Sequence, residues 1–136
     1  MKFNTLAVAL ILVPLSAFAG KAERDFVSTK VQPAIQEMTD AVKKSCGCAI
    51  SFDAKIDTFK DTDELGQIRN FANAIKEKAP GYCSDAPSKA AVCKLKTIEF
   101  SRAASPTFKF SSGKGIATSD SSSYPSWDMV VREIDK

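Results

Sequence analysis

Histidine is missing from all 136 residues. Its absence removes every catalytic triad or dyad with an imidazole base, every HExxH zinc site and any haem held by a histidine ligand. A strong excess of one charge is also missing: 19 Lys+Arg against 16 Asp+Glu give a net +3. No basic run is interleaved with aromatics, so this surplus does not point to nucleic acid and bears only on solubility. No GxSxG elbow occurs, and the one Ser-x-x-Lys spacing, Ser111 to Lys114, falls within a Ser-Ser-Gly-Lys-Gly turn, so the serines of the last third are read as turn residues and not as nucleophiles. What is present is an ordinary globular composition, 44% apolar and 26% charged. It is too apolar for disorder and of a length that suits one domain.

One apolar run stands out. After Met1-Lys2-Phe3-Asn4, residues Leu6 to Phe18 are almost wholly apolar, and Ala17-Phe18-Ala19 forms a small-x-small site ahead of Gly20. This order predicts a secretory signal peptide over 1–19. The run falls short of the roughly 20 apolar residues a membrane span needs. No cysteine lies near the cleavage site, which argues against a lipoprotein. Loss of Lys2 with the leader brings the net charge of residues 20–136 to about +2.

Cys46, Cys48, Cys83 and Cys93 are an even set in a chain read as exported, to the periplasm or the exterior. They predict two disulfides. A Cys46–Cys48 bridge is disfavoured because residues two apart on a strand sit near the far limit of disulfide geometry. Each of the pair should reach out to Cys83 or Cys93, closing a loop of roughly 36–48 residues worth about 4 kcal/mol. The spacing suits zinc poorly. A redox role for Cys-Gly-Cys is the sharper rival, but the pair follows a helix C-terminus, the end that does not lower a thiol pKa.

Periodicity supplies the elements. Val27, Val31, Ile35, Met38 and Val42 predict a helix over Glu23 to Lys44, kinked at Pro33. Cys48 to Phe59 alternates as a half-buried strand with the cysteines on its core side. Asp61 with Glu64 opens a helix that Leu65, Ile68, Phe71, Ala72, Ile75 and Ala79 make amphipathic, and Pro80-Gly81 should stop it. Tyr82 to Ala91 is a loop or a short helical turn. Lys94 to Arg102 and Thr107 to Phe110 are strands. Ser111 to Gly115 is a turn, and Ile116 to Ser119 either returns as a strand or continues the same one. Trp127, Val130, Val131 and Ile134 favour a closing helix over a strand. The order α-β-α-β-β-(β)-α predicts a single α+β domain: a small mixed sheet, its first two strands parallel, its later strands a meander, its helices packed on one face.

The remaining motifs carry no chemistry. Asp53 and Asp57 stand about 13 Å apart on one strand face, beyond a glycosidase pair. Asp61, Asp63 and Glu64 cap a helix and lack a calcium-loop ladder. Gly113-Lys114-Gly115 lacks the flanking residues of a phosphate loop and reads as a hairpin turn. No catalytic residue, cofactor site or metal site is expected. The expected function is therefore a non-catalytic binding protein of inhibitor or immunity type. It would recognise a protein partner through the Ser111–Gly115 turn and the Asp120–Tyr124 loop, with Ser112, Lys114, Tyr124 and Trp127 as candidate contacts. Nucleic acid and, after leader cleavage, membrane are not expected as partners. The alternatives are a carrier of a small apolar ligand lined by Phe52, Phe71, Phe100, Phe108 and Phe110, or a disulfide-exchange protein using Cys-Gly-Cys.

Overall fold

The first helical stretch begins at Lys21 and runs without a break to Cys46. In this computed structural model, which describes residues 20–136, the stretch comprises α1 (Lys21–Phe26), a π-helical turn (Val27–Val31) and α2 (Gln32–Cys46). The expected leader, 1–19, lies outside the described residues. The π turn explains Pro33. A proline removes one backbone donor and crowds the carbonyl one turn earlier, and a widened turn just before it relieves that crowding inside a continuous helix. Val27, Val31, Ile35, Met38 and Val42 are buried along this helix. Gly47, left-handed at φ 83°, closes α2 with its N–H on Lys43 O at 3.1 Å.

The first strand is shorter than its alternation. β1 covers Ser51–Ala54 and gives way to a 3₁₀ turn at Ile56–Thr58, yet Ile50, Phe52, Ala54 and Ile56 keep the buried parity throughout. α3 (Thr62–Tyr82) opens on a reciprocal cap. Asp61 accepts the Glu64 N–H at 2.9 Å, and the Glu64 carboxylate accepts the Lys60 N–H at 2.8 Å. It does not stop at Pro80-Gly81 as expected. Proline in the last turn costs a single intrahelical bond, and the Cys83 N–H still reaches Ala79 O at 2.8 Å. The next segment is a short helix, α4 (Ala86–Cys93), capped by Asp85 on the Ser88 N–H.

β2 (Thr97–Arg102), β3 (Thr107–Ser111) and β4 (Lys114–Ser119) complete a four-stranded mixed sheet of order β1-β2-β4-β3. β1 and β2 are parallel, as the β1-α3-α4-β2 crossover requires. The expected meander is wrong: β2 pairs with β4, in parallel, and β3 lies outside β4 as the antiparallel edge. Two connection lengths explain it. The two-residue Ser112–Gly113 turn can only join adjacent antiparallel strands. Residues 103–106 can span about 13 Å, enough to step over the width of one intervening strand. Only glycine fits at 115, because a Cβ there would lie 2.6 Å from Phe108 Cζ and 3.0 Å from Leu95 Cδ2.

The helices cover one face of the sheet. Phe100 meets Phe52, Phe59 and Phe71 ring to ring at 6.1, 5.9 and 5.2 Å. α5 (Trp127–Ile134), a helix as the 3.6-residue period favours, packs beside β3 with Val130 and Ile134 buried. Two disulfides tie the helix ends, one to each other and one to the approach to the sheet. Cys46–Cys83 joins the end of α2 to the residue after α3, and Cys48–Cys93 joins the approach to β1 to the end of α4. The α+β class, the single domain and the outward pairing of both Cys46 and Cys48 agree with the sequence reading. Among the described residues no helix is long and apolar enough to cross a membrane.

Candidate partner-binding face

Period two decides what the uncovered side of the sheet displays. Phe52, Ile98, Phe100, Gly115, Ala117 and Phe108 turn to the helices and are buried. Their neighbours turn outward, and register aligns them in rows across the four strands. One row reads Ser51, Thr97, Lys114, Ser111, and the next reads Asp53, Glu99, Ile116, Lys109. Ile116, 43% exposed, is therefore an apolar residue near the middle of a polar face.

The polar groups around it are mutually engaged. Asp53 pairs with Lys55 at 2.7 Å, and Glu99 pairs with Lys114 at 2.6 Å. Ser51 and Thr97 share a hydroxyl bond at 3.0 Å, as do Thr107 and Thr118 at 2.6 Å. The hydrogen bond and charge of Asp53 hold the Lys55 ammonium above its ordinary value. Exposed pairs of this kind contribute about 0–1 kcal/mol each. Their effect here is to engage the polar groups of this face with one another.

The β3–β4 turn stands at the end of this face. Ser112 (φ 51°) and Gly113 (φ 81°) are both left-handed, as a type I′ hairpin turn demands. Gly113 O accepts the N–H groups of Lys96 at 2.8 Å and Thr97 at 3.2 Å, which ties the turn to the start of β2. Ser112 and Lys114 are exposed on this anchored turn.

Tyr124 and Trp127 belong to the following loop and helix. Tyr124 is 38% exposed. Its loop is organised by Asp120, whose Oδ1 accepts the Ser122 N–H at 2.9 Å, the Ser123 N–H at 2.7 Å and the Ser123 hydroxyl at 2.8 Å. These bonds, the Ser122 N–H foremost, hold its carboxyl below the ordinary value. Trp127 is half-buried and packs edge-on against Tyr82 at 5.6 Å, so it anchors the tail to the core. The structure thus brings Ser112 and Lys114 together on the hairpin and gives Trp127 to packing. The sequence reading passed over Ile116 and Lys109. The signal was available: along Lys114–Ser119, the small residues Gly115, Ala117 and Ser119 share one parity and leave isoleucine on the other.

Tyr82 also yields a pH prediction. Burial first, then the hydrogen bond to Asp135 at 2.7 Å, pushes its phenol up from 10.0 to about 12. A phenol that holds its proton more tightly in the folded state contributes stability below pH 10.0, and this is lost as pH rises towards about 12. Ultraviolet titration of phenolate absorbance should show the Tyr82 midpoint near 12. Asp135→Asn should lower that midpoint. A wild-type Tyr82 midpoint at the unfolded value would refute the assignment.

The five phenylalanines considered as a ligand lining are engaged with protein. Four of them, Phe52, Phe71, Phe100 and Phe108, form a chain of ring contacts at 5.2–6.4 Å, and Phe110 packs against the same core. Both cysteine pairs are closed. Among the described residues no cluster of three or more Cys, Asp or Glu side chains could hold a metal ion. Compared with protein-family models, with curated proteins and with solved structures, the chain matches none.

Proposed function

We propose that this is an exported, non-catalytic binding protein of inhibitor or immunity type, which recognises a protein partner through the uncovered sheet face and the hairpin at its end. The observation that carries this reading is Ile116, an exposed β-branched side chain ringed by mutually engaged polar groups on a face that no described helix covers. An apolar centre inside a polar rim is the anatomy of a protein interface. The scaffold suits the task, because surface already ordered by ladder bonds, a type I′ turn and two disulfides loses little conformational entropy on association. The disulfides and the leader-like N-terminus support an oxidising compartment.

The test is affinity capture from the exporting cell's own secreted fraction, with the disulfide-bonded protein as bait. A partner should be retained in stoichiometric amount. Ile116→Asp should weaken that binding at least about tenfold, as expected for a central contact, and leave the thermal midpoint close to wild type. Failure to capture any protein, or capture indifferent to both Ile116→Asp and Lys114→Glu, would overturn the reading.

A further inference from the structure

We infer that the outer edge of β3 accepts an extended, acidic segment of that partner as a fifth strand; this deepens the binding reading above and rests on it. β3 is an edge strand. Its Phe110 N–H turns away from β4 and meets the Glu133 carboxylate instead, at 3.4 Å. By period two, the backbone groups of Phe108 face the same outer edge. The bond to Glu133 is longer than a well-formed N–H···O bond of about 2.7–3.2 Å. It is therefore one that a strand carbonyl can replace.

The surroundings of this edge specify the sign of the occupant. A cleft of about 300 Å³ lies along it, lined by Phe108, Lys109, Met129, Arg132, Glu133 and Lys136. Three of these side chains are cationic and one is anionic. Glu133 is already committed to Lys136 at 2.9 Å and to the Phe110 N–H. Lys109 and Arg132 are both exposed, and the ion pairs among the described residues include neither. The Arg132 Nε–H goes only to Asp128 O, at 3.4 Å. Glu133 thus shows in miniature what the edge accepts: a carboxylate against a strand N–H with ammonium groups around it. At the opposite edge, Asp53 on β1 and Lys55 just after it neutralise each other and select no sign. Lys109 also sits directly across from Ile116. A strand added here would take the place of the Glu133 side chain at the edge, its main chain bonding Phe108 and Phe110 and its carboxylates pairing with Lys109 and Arg132.

Two capped pentapeptides, Glu-Val-Glu-Val-Glu and Lys-Val-Lys-Val-Lys, titrated into the disulfide-bonded protein and followed by amide chemical shifts, test this. The acidic peptide should shift the Lys109, Phe110 and Glu133 amides saturably. It should bind at least about fivefold tighter than the basic one and weaken with added salt. Lys109→Glu and Arg132→Glu should each weaken it at least about threefold, and Glu133→Gln, which removes the internal competitor, should tighten it about twofold. Equal binding of the two peptides, or shifts confined to other surfaces, overturns the inference. Partner capture separates the two proposals. If Ile116→Asp abolishes capture and Lys109→Glu with Arg132→Glu does not, the edge assignment falls and the face stands. If capture is indifferent to Ile116→Asp, to Lys114→Glu and to Lys109→Glu with Arg132→Glu, both fall.

Discussion

Removing the Cys46–Cys83 bridge, as Cys46→Ala with Cys83→Ala, is expected to lower the unfolding free energy by about 4 kcal/mol. The bridge joins residues 37 apart. In the chain-entropy model, closing a loop of that length restricts the unfolded chain by about that amount. Both cysteines are buried, at 3% and 4% exposure, so packing lost around the new alanines adds to the entropic term. The Cys48–Cys93 bridge closes a similar loop, of separation 45, but both its residues are only half-buried. Its double alanine variant should cost less, and the order of the two is the informative result. A domain of this size is stable by about 5–15 kcal/mol, so the first variant stands near the edge of folding. Thermal denaturation should show a fall of roughly 15–20 °C for Cys46→Ala/Cys83→Ala. A fall of less than about 5 °C would mean that the bridge constrains the unfolded chain far less than its loop length implies.

The outward pairing of those cysteines was legible in the sequence; their place on a strand was not. The strand expected from Cys48 onward begins only at Ser51, so Cys46 ends α2 and Cys48 lies on the approach to β1, but the strand-helix-strand order still brought Cys93 beside Cys48 through parallel pairing. Which partner each took was not legible, since both choices satisfied the same spacing. The start of α3 was read well, because a cap is a local event: Asp61 accepts an N–H three residues on. The end of α3 was misread because Pro80 removes one bond in the last turn, where little helix remains to break. The strand order beyond β2 was misread because it depends on how residues 103–106 cross the sheet, and periodicity is silent on that. The binding face was half legible. Ser112 and Lys114 follow from the hairpin signal. Ile116 and Lys109 become neighbours only through the β3–β4 register, and whether a strand's polar parity meets solvent or another layer is decided by helices elsewhere in the chain.

Phe100→Ala should cost about 3–5 kcal/mol, near the upper end of that range. Phe100 is fully buried on β2, a strand paired on both sides, to β1 and to β4. Ladder bonds on both flanks hold its backbone, so the surrounding wall has little freedom to close over the space a ring leaves. Its ring also touches three others, Phe52, Phe59 and Phe71, and such aromatic pairs contribute about 0.5–1.5 kcal/mol each beyond area alone. Phe110, partly exposed at the sheet edge, is the internal comparison, and its truncation should cost about half as much or less. Chemical denaturation of both variants checks this, with the slope in denaturant unchanged if only the native packing is lost. The experiment also separates filled core from ligand lining. If these rings enclosed a cargo site, shortening Phe100 in the unliganded protein would enlarge space already open, and the cost would fall below about 1 kcal/mol. A full-sized loss would place the phenylalanines in the scaffold and leave recognition to the outer face.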